Sequence, residues 1–91
     1  MINNLNEFVR NESLEIRKFG EQFYLTCSSA CFEVNEVGAA IVNVIGKDLT
    51  LLELCEKISR KYNFDSIETI KDDVLSFINF LEENNLVSYE Q

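Results

Sequence analysis

Histidine is absent from this 91-residue chain. With it go the commonest general base, the Ser–His and Cys–His dyads, and the commonest metal ligand. Proline is absent as well, and no low-complexity tract or internal repeat marks a linker. The three glycines stand apart at Gly20, Gly38 and Gly46, so no glycine-rich loop is available to cradle a phosphate. Basic residues are few, 8 against 16 acidic ones, for a net charge of −8. Such a surface repels phosphate, which disfavours DNA, RNA and anionic membranes as partners. It keeps a small protein soluble and favours basic partners. The apolar stretches are far shorter than the roughly 20 residues of a membrane helix. The opening residues lack the positive lead and apolar run of a secretory signal. Cysteines number three, an odd set where a secreted scaffold more often carries an even one, so a reduced, cytoplasmic chain is expected.

What is present suits one short domain. At 46% apolar and 26% charged residues the composition is that of an ordinary soluble protein. A chain of this size buries roughly 60–65% of its unfolded surface, room for a thin core and one binding surface.

Residues 1–13 show no clear period and are read as a loosely held arm ahead of a domain over residues 14–91. From Leu14 to Phe19 apolar and polar residues alternate at period two, and Gly20-Glu21 supplies a turn. Gln22 to Cys27 is rich in aromatic and β-favouring residues and makes a second strand. After a Ser28-Ser29-Ala30 link, a short third strand follows with Phe32 and Val34 on one face. Three strands with tight links predict an antiparallel meander. At Asn35 the period becomes helical. Asn35 is a good N-cap, although Gly38 stands where a capping-box glutamate belongs. Val37, Ala40, Ile41, Val44 and Ile45 form the first helical stripe, ending near Gly46. Thr50 with Glu53 makes a full capping box, and Leu51, Leu54, Cys55, Ile58 and Tyr62 form the second stripe. Residues 63–66 interrupt it. The third stripe is Ile67, Ile70, Val74, Phe77, Ile78 and Leu81; Asn84-Asn85 ends it, and Leu86-Val87 provides an apolar segment to fold back. Strands first and helices after predict an α+β fold: a three-stranded antiparallel sheet followed by three helices.

The titratable residues offer little chemistry. Cys27 and Cys31 have a Cys-x-x-x-Cys spacing, but the next cysteine, Cys55, sits on a helical stripe. The pair is expected to face each other across the hairpin as small hydrophobes rather than as metal ligands. Adjacent carboxylates such as Asp72-Asp73 and Glu82-Glu83 point about 100° apart on a helix, so neither pair converges on one atom. They read as a solvated helix face.

The segment from Phe23 to Val87 resembles the PqqD-like family, small domains also called recognition elements of ribosomally made, later modified peptides. The likeness is carried by Phe32-Glu33-Val34-Asn35-Glu36-Val37-Gly38-Ala39-Ala40-Ile41, by Thr50-Leu51-Leu52-Glu53-Leu54 with Tyr62, and by Asp73-Val74-Leu75-Ser76-Phe77-Ile78-Asn79-Phe80-Leu81 with Asn85-Leu86. It covers about three quarters of the chain, in the family's order and spacing. Val34 stands for the usual leucine, and Asn85 for the usual glycine, a change a left-handed cap tolerates. The resemblance implies a winged-helix-like fold with the sheet first. It implies a non-catalytic subunit without metal or cofactor that binds the leader of a precursor peptide. The leader would add as a strand to the third strand, with the third helix as opposite wall.

Carried onto this chain, the expected contacts are Ala30, Cys31, Phe32, Glu33 and Val34, with Lys71, Val74, Leu75 and Ile78 on the helix. Two helix flanks compete for the place facing the strand: Lys71, Leu75, Ile78 and Glu82, or Phe77, Phe80 and Asn84. The first is preferred, slightly, because Leu75 lies off the core stripe. The implied partners are the precursor peptide and a separate modifying enzyme, a radical-type maturase or a leader protease of a lasso-peptide pathway. The same exposed strand offers itself to a second copy of the chain, as a homodimer. The alternative is a winged-helix nucleic-acid-binding regulator. It is poorly served by a third helix with only Lys71 against Glu68, Asp72, Asp73, Glu82 and Glu83.

Overall fold

The computed structural model describes residues 3–63 and 66–90, and within them five strands and three α-helices succeed one another along the chain. After a 3₁₀ turn at Leu5–Glu7 come β1 (Phe8–Arg10), β2 (Glu15–Phe19), β3 (Gln22–Cys27) and β4 (Ala30–Val34). The helices are α1 (Glu36–Val44), α2 (Leu51–Tyr62) and α3 (Ile67–Glu83), and β5 (Val87–Tyr89) closes the chain. The fold is α+β.

Alternation builds the meander β2-β3-β4, antiparallel throughout, with β2 and β4 at its edges. The register sets Leu25 opposite both Ile16 and Phe32, and Phe23 opposite Val34, so these side chains share the inner face. The β3–β4 link is shorter than expected. Ala30 belongs to β4 opposite Cys27, leaving Ser28 and Ser29 as the turn, with Ser28 at φ 55°. One residue fewer in the link reverses the pleat of the strand after it. Cys27 is therefore buried on the inner face, while Cys31, opposite Thr26, is exposed on the outer one. The two thiols do not face each other.

Each helix begins on a side-chain cap. Asn35 accepts from the Gly38 amide at 2.7 Å, and Thr50 and Glu53 form the reciprocal capping box at 3.0 Å each way. Ser66 caps α3 through the Thr69 amide at 3.3 Å. Asn63, at φ 58°, takes the left-handed conformation that ends α2, and Asn85, at φ 60°, follows α3 in the same way. The rest of the expected break, residues 64 and 65, lies outside the described residues. Arg60 and Lys61 occupy the last turn of α2, where positive charge suits the helix dipole.

The core is one apolar cluster drawn from every layer: Leu25 of the sheet, Val42 of α1, Cys55 of α2 and Val74, Ile78 and Leu81 of α3. The α1 face is turned by about a residue from the expected stripe. Gly38, Ala39, Ile41, Val42 and Ile45 are buried, whereas Val37, Ala40 and Val44 are only half-buried. α1 lies against β3 and β4 and also meets α3 through Gly38, so it buries a broad face rather than a stripe.

The segment expected to be a loose arm is packed, at least from residue 3 onward. Leu5 and Phe8 are buried completely, and β1 pairs antiparallel with β5 (Phe8↔Tyr89, Arg10↔Val87). The backbone of Leu5 donates to Leu49 at 2.8 Å and accepts from Gly46 at 2.9 Å. A short period-free segment hides this role, because a three-residue strand is too short to show alternation. The apolar Leu86-Val87 does fold back, into β5.

Candidate functional site

The edge of β4, unpaired among the described residues, is the natural starting point, because a sheet edge with no neighbour exposes free N–H and C=O groups. Ala30, Cys31 and Glu33 are exposed along it, and Phe32 and Val34 are half-buried on the inner face. Beyond that edge lies α3. The Phe32 ring meets Phe80 edge-on, centroids 5.4 Å apart at 90°, and Phe80 stacks on Phe77 at 5.9 Å. Phe77 in turn lies over the first turn of α1: a methyl group at Gly38 would stand 3.0 Å from Phe77 Cζ and 3.3 Å from Val34 Cβ. Three half-buried rings thus run from β4 along α3 to α1, beside a strand edge that is free among the described residues.

The flank of α3 that faces β4 is therefore the one with Phe77 and Phe80. The preference for Lys71 and Leu75 is corrected by their place in the fold. Both line a cavity of about 570 Å³ on the α2 side, together with Leu51, Leu52, Cys55 and Ile67. Ile78 is fully buried, at 0% exposure, and belongs to the core; Val74, at 1%, is core as well and meets open space only in a second cavity, past Val34. Helical spacing put two flanks beside the core stripe and did not order them. Packing α2 against one side left the other to the sheet.

At the Phe77 end of the aromatic row, just past Val34, is this cavity of about 220 Å³. Its walls include Ile41 of α1, Ile58 of α2 and Ile70, Val74 and Phe77 of α3, with Asn35 and Asp73 as the polar members. The Asn35 side-chain oxygen is engaged by the Gly38 amide. Asp73 takes part in no hydrogen bond or ion pair among the described residues. Sequence reasoning placed Asp73 in the family pattern and on a solvated face, and gave it no part in the site. The signal it missed is that Asp73, Phe77 and Phe80 recur at spacings of four and three along one helix flank.

No group of three or more Cys, Asp or Glu side chains converges among the described residues to hold a metal. Burial pushes the Cys55 thiol above its ordinary value, against a smaller opposing pull from Lys71, so it stays protonated near neutral pH. None of the described helices is long and apolar enough to cross a membrane.

Fold and site together define a small α+β domain with a free strand edge set against an aromatic helix flank. The family pattern of coenzyme PQQ synthesis protein D (PqqD) matches residues 17–87. The chain belongs to the PqqD family. Among curated proteins none matches the sequence. Two solved structures share the fold at low identity. One, described as lasso peptide synthetase B1 complexed with the leader peptide, has a TM-score of 0.76 at 14% identity, over 90% of this chain and 98% of that one. The other, TbiB1 in complex with the TbiA(beta) leader peptide, has a TM-score of 0.70 at 17% identity, over 87% and 93%.

Proposed function

We propose that this protein is a stand-alone recognition subunit that binds the leader segment of a ribosomally made precursor peptide and delivers it to a separate modifying enzyme. The observation that carries the reading is the free β4 edge beside the Phe32–Phe80–Phe77 row. A leader adding to that edge gains main-chain hydrogen bonds from β4 and lays alternate side chains on the rings. The β2 edge is also free among the described residues, but Phe19 on it stands 66% exposed, and no row of half-buried rings like that beside β4 is recorded there. Membership of the PqqD family supports the reading, as do the two solved relatives, each described in complex with a leader peptide.

On this reading the subunit acts by raising the local concentration of substrate at its partner, which requires no catalytic group of its own. The partner is a radical-type maturase or a leader protease, and the site of action is the cytoplasm.

The test is a titration of ¹⁵N-labelled protein with the leader half of the precursor encoded beside it. Amides of residues 31–35 and of residues 77–80 are expected to shift together and to saturate in the micromolar range or below, roughly −8 kcal/mol or better. Shifts confined to β2, or no shifts at high leader concentration, would remove the peptide-binding assignment.

A further inference from the structure

We infer that the cavity beyond Val34 is a subsite for a long cationic side chain of the bound leader, a lysine or arginine whose aliphatic stem lies among Ile41, Ile58, Val74 and Phe77 and whose charge meets Asp73. This rests on the leader-binding reading and adds the chemistry of one leader position.

Size is the first argument. About 220 Å³ is less than the roughly 300–1,000 Å³ of small-molecule sites, so the cavity suits one side chain rather than a cofactor. Position is the second. Val34 ends β4 and Asn35, the next residue, lines the cavity, so a strand added along β4 runs toward its mouth. Phe77 is at once part of the aromatic row beside β4 and a wall of the cavity.

Charge decides the class of side chain. Asp73 is the one ionisable group in the lining, exposed and without a partner among the described residues. It is the seventh residue of α3, beyond the first turn in which the helix dipole would favour its charge. Glu36 opens α1 beside the mouth, and Glu33 is exposed on β4. By helical spacing the β4-facing flank of α3 holds no basic residue, because Lys71 lies on the α2 side. An acidic side chain would be repelled, and a short apolar one would leave Asp73 unused. A lysine or arginine buries its stem and keeps its charged end at the rim, the arrangement long cations adopt on apolar surfaces.

The test uses the full chain with ¹³C-labelled isoleucine and valine methyl groups, and three probes of equal length: hexylammonium, 1-hexanol and hexanoate at matched ionic strength. All three are expected to act on the Ile41, Ile58 and Val74 methyls. Hexylammonium should bind about threefold more tightly than hexanol, as suits an exposed ion pair, and hexanoate least. In Asp73→Asn the amine should lose its advantage over the alcohol while the alcohol binds as before. The inference is overturned if hexanol matches the amine in the wild type, or if the preference for the amine survives in Asp73→Asn. The leader titration separates the two readings. A leader that binds wild type and Asp73→Asn with equal affinity removes the cationic subsite and leaves peptide recognition standing. A leader that does not bind at all, beside normal hexylammonium binding, removes the cavity's assigned occupant along with the peptide reading.

Discussion

Gly38 sits at the third residue of α1, where a capping box would place a glutamate, and the structure shows why no such side chain is there. Its Cβ would stand 3.0–3.1 Å from the Phe77 ring and 3.3 Å from Val34, closer than packed carbons normally approach. The glycine lets α1 come up against the aromatic row. Gly38→Ala adds a helix-favouring residue, a gain of about 1 kcal/mol, while the crowding costs about 1–3 kcal/mol. The net cost expected in urea unfolding is about 0–2 kcal/mol. The Phe77 ring, the nearer neighbour, is also displaced. Leader affinity measured by calorimetry, at a temperature where the variant is fully folded, should fall several-fold in Gly38→Ala. Unaltered affinity would show that Phe77 is no part of the binding floor.

Elements differ in how they are held. The helices carry their own caps, but β1 and β5 are three residues each and depend on one another. Their clasp is pinned by the Tyr89 hydroxyl, which donates to Glu7 at 2.8 Å, and by the Glu90 amide, which donates to the Glu7 carbonyl at 2.7 Å. The Tyr89 hydrogen bond, helped by the Asn4 amide, holds the Glu7 carboxyl below its ordinary 4.5. The same bond holds the Tyr89 hydroxyl above its ordinary 10.0. A lowered carboxyl stabilises the clasp above 4.5 and loses that contribution as pH falls through its folded value. A raised phenol contributes fully below 10.0 and loses that contribution as pH rises through its own folded value. Between these limits the clasp is whole. On acidification from about pH 6 to about pH 3, the Glu90 amide and Tyr89 ring resonances should titrate together, with a midpoint under 4.5. Glu7→Gln should abolish that step; its persistence would assign the titration to another carboxylate.

At the scale of the molecule the N-terminal segment is part of the fold. Phe8 is 1% exposed, stacked edge-on against Tyr89 at 5.3 Å, and belongs to the same cluster as the helix cores. Phe8→Ala should therefore cost about 3–5 kcal/mol in urea unfolding, a large share of the roughly 5–15 kcal/mol that holds a domain together. A cost below about 1 kcal/mol would fit a dispensable arm instead.

The meander, the three helices and the N-caps of the first two were legible in the residues because each depends on local order; Ser66, the cap of the third, was read only as part of the break. Ile16 announces its strand by alternation, Leu25 by its β-favouring neighbours, Ile70 and Val74 their helix by spacing, and Asn35 and Thr50 their caps by type. Family membership was legible for the same reason, being written in those core positions. Three things waited for the tertiary structure. The pairing of Phe8 with Tyr89 joins segments at opposite ends of the chain, and neither is long enough to show a period. The loss of one residue from the Ser28-Ser29 turn moved Cys31 to the outer face, since a pleat of period two turns a single-residue difference into a change of side. Which flank of α3 meets β4 depended on where α2 packed. Periodicity orders residues around one helix axis, and only the arrangement of neighbouring elements decides that Phe77 and Phe80, rather than Lys71 and Leu75, look toward the open strand.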